Sequence, residues 1–301
     1  MKNLLDIVSF DFNSFIGREL GNITILKELG RGNKGVVFIA FQKSLKRQVA
    51  VKILPKVCAS TEEQRQQFRD EAEIIAILSH PNIITIFEMG EEDEFYFQVM
   101  QLINGSDLDK IIADHYKHPV AAKRLIPLEQ TINVIIQVLD GLAYAHDEDI
   151  IHQDIKASNI LIEERTKRPL IADFGIAKTS HLEYHLKQGI IIGSPTYMSP
   201  EQASGRDTDR RTDIYSLGIL LLKMLTGVLP VRKENVEEIL VRKINEPETF
   251  IDMLPSEASP LIKKDLEKIV LKAIEPDVEK RYQDCYSFKD DLTLFRDKHL
   301  S

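Results

Sequence analysis

The side chains best suited to chemistry in this chain fall into a glycine-rich loop, a strand lysine, and a cluster of carboxylate and amide residues. Gly30-Arg31-Gly32-Asn33-Lys34-Gly35-Val36-Val37 has the form G-x-G-x-x-G-x-V. Glycines at this spacing let a backbone approach nucleotide phosphates without side-chain clash. Val49-Ala50-Val51-Lys52 follows, and a lysine on that strand supplies point charge to phosphates. Farther along come His152-Gln153-Asp154-Ile155-Lys156-Ala157-Ser158-Asn159 and Asp173-Phe174-Gly175. Asn159 and Asp173 offer hard oxygen ligands suited to Mg²⁺ bridging phosphates. Each group alone has a plain reading, as a glycine hairpin, a solvated lysine or polar turn residues. Together, in this order, they point to nucleotide phosphate chemistry.

The elements that must position these groups are legible from periodicity. In the first hundred residues, Ile23–Leu26, Val36–Phe41, Gln48–Leu54, Ile83–Met89 and Phe95–Met100 are β-branched or aromatic runs bounded by turn residues. One helix interrupts them: Ser60 and Glu63 form a capping box, Phe68, Ala72, Ile75 and Leu78 recur at helical spacing, and His80-Pro81 stops it. After Gly105 helical periods dominate, at Leu128–His146, Thr212–Thr226 with Gly227 and Pro230 as its stop, Pro260–Ile274 and Asp284–His299. A strand-rich lobe followed by a helix-rich lobe is an α+β arrangement.

This context separates two readings of the glycine loop. A dinucleotide-binding loop opens a helix, whereas here Val36 to Phe41 continue as a strand. A loop between two strands serves instead as a flap over ATP phosphates. Lys52 then needs a carboxylate to hold it extended. Glu71 shares a helical face with Phe68, Ile75 and Leu78, which turns it inward, and Asp70 and Glu73 are rival carboxylates.

With Ser199-Pro200-Glu201 following the two catalytic segments, the chain resembles the protein kinase superfamily, specifically the bacterial serine/threonine kinases of eukaryotic type. The match runs from about Thr24 to Phe295. The resemblance implies a bilobal protein-kinase fold with one regulatory helix in the N-lobe. It divides the chain into an extension over residues 1–22 and a kinase domain over 23–299. Within that domain the N-lobe covers about 23–100, the hinge 101–105 and the C-lobe 106–299. It implies ATP-dependent transfer to protein Ser/Thr hydroxyls with Mg²⁺, or alternatively Mn²⁺. Asp154 is then the catalytic-loop base and Lys156 its serine/threonine-type neighbour, where tyrosine-specific members place arginine nearby. Lys52 and Glu71 complete the catalytic set, and Asn159 and Asp173 hold metal. The nucleotide would meet Gly30, Arg31, Gly32, Asn33, Lys34, Gly35 and Lys52 at its phosphates. Val37, Ala50 and Leu161 would sandwich the adenine, Met100 act as gatekeeper, Gln101, Leu102 and Ile103 form the hinge, and Asp107 meet the ribose. Ile75, Ile86, His152 and Phe174 would stack as a spine, Asp213 anchor the catalytic loop, and Glu201 and Arg281 form an ion pair beneath the substrate loop. Ser194 stands where a threonine is usual.

Two departures qualify the match. Gln153 replaces the arginine that grips an activation-loop phosphate in relatives. Between Lys178 and Ser194 the only hydroxyls are Thr179, Ser180 and Tyr184, all in the first half. Switching by loop phosphorylation is therefore not expected. The connection Asp114–Pro127 is enlarged and carries His115, Lys117, His118, Lys123 and Arg124. It reads as a solvated insertion rather than a docking or metal site.

Bulk properties set outer limits. A chain of 301 residues can hold a bilobal domain. A formal net charge of −8 argues against nucleic acid as partner. Two distant cysteines, Cys58 and Cys285, suggest reduced thiols and a cytoplasmic setting rather than a disulfide framework. The apolar stretch Ile214–Leu225 is too short to span a bilayer and reads as a buried helix, so no membrane partner is expected. Two rival functions remain. One is a pseudokinase or nucleotide-binding scaffold, supported by the altered His-Gln-Asp motif. The other is a small-molecule kinase of related fold, which the Ser-Pro-Glu segment and the helix bearing Asp213 disfavour.

Overall fold

A computed structural model describes residues 12–32, 35–56, 77–120, 123–174, 195–227, 229, 238–239, 243 and 264–300. The chain divides into two compact units, residues 1–104 and 105–301. This division falls where the sequence changes from strand-rich to helix-rich.

Among its described residues the first unit holds one antiparallel sheet, in the order β1-β2-β3-β4-β6-β5. Its strands are β1 (Glu19–Leu20), β2 (Ile23–Gly32), β3 (Gly35–Gln42), β4 (Arg47–Pro55), β5 (Ile86–Glu91) and β6 (Phe95–Met100). Alternation along each strand sends successive side chains to opposite faces. Register brings Phe38 opposite Val51 and Val51 opposite Val99, so one face is apolar throughout. That face buries Val36, Phe38, Ala40, Val49, Val51, Ile53, Phe95, Phe97 and Val99 in one cluster. Phe12 and Phe15, on a 3₁₀ turn ahead of the sheet, join the same cluster. Phe15 meets Phe95 edge-on at 4.9 Å between ring centroids, and the Arg18 guanidinium lies over Phe95 at the same distance. Residues 12–20 carry neither helical nor strand periodicity, so their part in this core was not evident from sequence. The expected strand Ile83–Met89 begins later, at Ile86, because Ile83 closes a turn onto the His80 carbonyl. The helix expected between Ser60 and Leu78 lies almost wholly outside the described residues.

The second unit opens with a small sheet, β7 (Gly105–Asp107), β8 (Ile160–Glu163) and β9 (Pro169–Ile171), in that order. Gly105 is required there: a Cβ at that position would lie 1.9 Å from the Ile162 carbonyl oxygen. The helices are α1 (Leu108–Tyr116), α2 (Leu128–Asp147), α3 (Pro200–Ala203), α4 (Arg210–Thr226), α5 (Lys264–Ala273) and α6 (Cys285–His299). Helix α1 carries through the start of the stretch read as an insertion. His115 at its end and His118 and Arg124 beyond it bond within the stretch, His118 Nδ1 accepting from Val120 N and Arg124 Nε donating to the His118 carbonyl.

Helix α4 is apolar nearly all round and correspondingly buried, with Ile214, Leu217, Leu220 and Leu221 inaccessible. It ends on Gly227, whose φ of 75° supplies the left-handed cap. Helices α2 and α6 are joined by Lys289–Asp140 (2.5 Å) and Tyr286–Asp147 (2.6 Å). Among the described residues, no helix is long and apolar enough to cross a membrane.

Candidate active site

In the first unit, the last pair of the β2–β3 hairpin is Gly32 opposite Gly35. The glycine loop is therefore a hairpin tip, and the chain continues from it as a strand. A Cβ on Gly35 would stand 2.1 Å from the Ile53 carbonyl oxygen, so β4 leaves no room for a side chain. The face opposite the apolar cluster gathers the nucleotide candidates. Val37 pairs with Lys52, Ala50 with Met100, and Lys52 also with Gln98. The Gln101 amide donates to the Thr85 carbonyl at 2.9 Å, continuing the chain into Leu102 and Ile103. The Arg31 guanidinium is held by both Glu28 oxygens at 2.8 Å and lies over the Phe12 ring, so its side chain is engaged within the sheet. Asn33, Lys34, Glu71 and its rivals Asp70 and Glu73, and Ile75 all lie outside the described residues, as do Thr179, Ser180, Tyr184 and Ser194.

The second unit holds the catalytic candidates, and their placement begins with Asp213. This carboxylate sits in the first turn of α4 and is wholly inaccessible. It accepts from the backbone amides of His152 (2.8 Å) and Gln153 (2.7 Å) and meets His146 Nε2 at 2.8 Å. A buried carboxylate is tolerable only when donors replace its water, and these three do so. The two amides belong to a strained segment. Gln153 has φ 62°, a left-handed conformation costing of order 1–3 kcal/mol for a residue with a side chain. The far side of Gln153 is also held, its carbonyl accepting from Gln202 Nε2 at 3.0 Å.

Asp154 follows directly. Its amide donates to His152 Nδ1 at 3.2 Å, so His152 carries its proton on Nε2, which donates to the Ala172 carbonyl at 3.1 Å. The Lys156 ammonium is 2.9 Å from Asp154 Oδ2. Asn159 donates through Nδ2 to the Asp154 carbonyl at 2.8 Å, which commits its amide nitrogen and leaves Oδ1 as the acceptor. The Asn159 carbonyl in turn accepts from Ala172 N at 2.9 Å. This bond ties the catalytic loop to Asp173, which is itself held at φ 57°. The His152 and Phe174 rings meet at 4.5 Å between centroids, tilted by 45°, which brings together the second-unit residues of the expected spine. Asp107 and Leu161 are register partners, and the Asp107 carboxylate caps α1 by accepting from Lys110 N at 2.9 Å.

The donor set fits Mg²⁺. Asp173 and the Asn159 Oδ1 offer hard oxygens on segments joined by the Ala172–Asn159 backbone bond, and Mg²⁺ completes its shell with waters and phosphate oxygens rather than a protein cage. No group of three or more His, Cys, Asp or Glu side chains suited to a metal occurs among the described residues.

Beneath these groups Arg281 forms a two-pronged pair with Glu201, at 2.8 and 3.1 Å, and Thr212 Oγ1 adds a third bond to the same carboxylate. Burial raises the Glu201 carboxyl, but the Arg281 guanidinium outweighs it and leaves the group below its usual range. The resemblance named Asp213, Glu201 and Arg281, and Cys285 was read only as a reduced thiol, while His146 and Gln202 were missed. His146 lies on the buried stripe of α2 among aliphatic residues, and a polar side chain on an apolar face was the signal available for it. Its Nε2 donates to Asp213, so Nδ1 accepts from the Cys285 thiol at 3.5 Å. Burial, then the Asp213 and Asp284 carboxylates, push that thiol well above its usual pKa, which fits a structural thiol rather than a nucleophile.

The Protein kinase domain family matches residues 23–290. A Clostridium perfringens protein named as a probable serine/threonine-protein kinase is 36% identical over 278 residues, covering 92% of this chain and 39% of its own length. The Bacillus subtilis serine/threonine-protein kinase PrkC is 34% identical over 281 residues, covering 92% of this chain and 41% of its own. The chain thus spans about two fifths of these relatives. Among solved structures, the kinase domain of Mycobacterium tuberculosis PknI superposes with a TM-score of 0.72 at 24% identity, over 92% of this chain and 98% of that one.

The Glu201–Arg281 pair gives a test with a defined sign. The folded carboxyl lies below its unfolded value, so its stabilisation is complete above about pH 4.3 and is lost as pH falls through the folded value. Glu201→Gln leaves Arg281 buried without its counter-charge and should cost about 3–5 kcal/mol at pH 7 by urea denaturation. The gap from wild type should narrow below about pH 4. A gap that stays constant from neutral pH to about pH 3 would contradict a charged pair.

Proposed function

Because the chain belongs to the protein kinase domain family, and within it to the bacterial serine/threonine kinases of eukaryotic type, we propose that it transfers the ATP γ-phosphate to serine or threonine hydroxyls of proteins. The observation that carries this reading is the convergence of Lys156 and Asn159 on Asp154, at 2.9 and 2.8 Å. Asp154 orients the acceptor hydroxyl and takes its proton as the oxygen attacks the γ-phosphorus and the bond to ADP breaks. Lys156 brings its ammonium to the same place, where the transferring group carries negative charge. Lys52 supplies charge to the α- and β-phosphates, held by Glu71, and the backbone of residues 30–35 covers them. Val37, Ala50, Met100 and Leu161 line the base, residues 101–103 meet its edge, and Asp107 meets the ribose. Mg²⁺, or Mn²⁺ in its place, would be held by Asn159 and Asp173 and would neutralise phosphate charge. The kinase domain is read as residues 23–299, acting in the cytoplasm on protein substrates.

The test is purified protein with labelled ATP, Mg²⁺ and a generic protein acceptor. Lys52→Ala, Asp154→Asn and Asp173→Ala should each lower turnover by at least about a hundredfold, with melting curves close to wild type. Phosphoamino-acid analysis should give phosphoserine and phosphothreonine. Predominant phosphotyrosine would overturn the acceptor class, and a folded wild-type protein that binds ATP without transfer would make it a pseudokinase.

Regulation follows from Gln153. This neutral side chain is buried and reaches Thr208 Oγ1 at 3.4 Å. It cannot repay the desolvation of a dianionic phosphate as an arginine does. The enzyme is therefore active without loop phosphorylation. Phosphatase-treated enzyme and Thr179→Ala/Ser180→Ala should keep initial rates within about threefold of untreated wild type. A fall of about tenfold or more, or roughly 1.4 kcal/mol of transition-state stabilisation, would mean that another cation, such as Lys178 or Lys187, reads a phosphate there.

A further inference from the structure

The stretch before Ser199-Pro200-Glu201 is held from beneath by side chains that no part of the catalytic mechanism uses. Lys243 is a lysine with no accessible surface. Its ammonium donates to the Thr196 carbonyl at 2.7 Å and to the Met198 carbonyl at 2.5 Å. The carbonyl between them, on Tyr197, accepts from Ser216 Oγ at 2.8 Å. Three consecutive backbone carbonyls are thus fixed by two buried side chains from elsewhere in the second unit. The ring of Tyr215 completes the setting, with Lys243 Nζ and the Arg281 guanidinium carbon each 5.0 Å from its centroid. An ammonium is costly to bury unless its donors are used, and here the chain leaving the turn at residues 195–197 brings the Thr196 and Met198 carbonyls to one cation.

We propose that Lys243, assisted by Ser216, is a positioning residue that sets the backbone of residues 196–198 as a platform for the acceptor polypeptide. The inference rests on the protein-kinase reading above and adds the residues that shape its acceptor side. The carbonyls bonded to Lys243 and Ser216 are unavailable to an acceptor, and Tyr197 and Met198 are buried, so what this stretch offers is the half-buried Pro195 and Thr196, whose placement these bonds set. Binding of the acceptor then depends on Lys243 although that side chain never touches it. ATP binding, which depends on the glycine loop and Lys52, does not.

The test is a split between the two substrates, with dephosphorylated casein as acceptor. Lys243→Met keeps the volume and stem of the side chain while removing the donors. Ser216→Ala removes the third bond with little change in packing, and it decides the matter alone if Lys243→Met does not fold. Lys243→Met should raise the KM for casein by at least about tenfold and Ser216→Ala by about threefold, with the KM for ATP within about twofold in both. Ile219→Val, a buried change on the same helix as Ser216, should lower stability without splitting the two constants. The proposal is overturned if both folded variants keep the casein KM within about twofold of wild type, or if kcat/KM for ATP and casein fall together. A wild-type enzyme that phosphorylates no serine or threonine acceptor would overturn the kinase reading and this inference with it, and that result is visible before any variant is made.

Discussion

The second unit turns on one buried carboxylate. Asp213 accepts from two consecutive amides, those of His152 and Gln153, and from His146. Two amides pointing at one carboxylate require the backbone to curl, and the left-handed φ of Gln153 is that curl. The residue after the curl is Asp154, so the strained conformation is what aims the side chain proposed as the base. Strain of this kind persists only where surrounding bonds over-determine it. Here they do, with Asp213 on the amide side and Gln202 on the carbonyl side.

The rest of the unit serves that anchor. Helix α4 is apolar on nearly every face, so it is fixed in the interior and Asp213 is fixed with it. Gly218 lets the end of α5 approach closely, since a Cβ there would lie 2.9 Å from the Ala273 Cβ and 2.6 Å from the side chain of Ile274 just after it. His146 has its ring locked between Asp213 and the Cys285 thiol, so α2 and α6 both contribute to orienting the carboxylate. Gln202 connects the loop to the cap of α3, where Ser199 and Gln202 exchange hydrogen bonds, and Glu201 next to it pairs with Arg281. The loop at residues 152–159, the segment leading into α3 and the buried helix α4 are thereby joined by a short series of bonds between named side chains.

Much of this was legible in the sequence, for identifiable reasons. The glycine hairpin was readable because Val36 to Phe41 could only continue as a strand, and the lobes because period-2 runs give way to helical periods at Gly105. Asp213, Glu201 and Arg281 were named through the resemblance to protein kinases, and their bonds to the loop amides and to one another are of the kind it implied. What sequence did not disclose depends on contacts between distant segments. The burial of Phe12 and Phe15 against β3 and β6 follows no local period. The small sheet β7-β8-β9 is built from strands of three or four residues, too short for an alternation to register. The roles of Gln202 and Lys243 lie in which backbone carbonyls they reach, and no residue type or spacing encodes that.

The most direct measurement of this account is the turnover of Asp213→Asn at a temperature where circular dichroism shows it folded. Asparagine has nearly the same shape, but one of its two polar atoms is a donor and faces a backbone amide that needs an acceptor. The curl at Gln153 then loses one of its two restraints on the amide side, and Asp154 loses its aim. The account predicts a fall in kcat of at least about a hundredfold, roughly 2.7 kcal/mol in the barrier, with KM for ATP little changed. A folded variant with kcat within about threefold of wild type would contradict it, because the loop would then hold Asp154 without the carboxylate on which the rest of the unit converges.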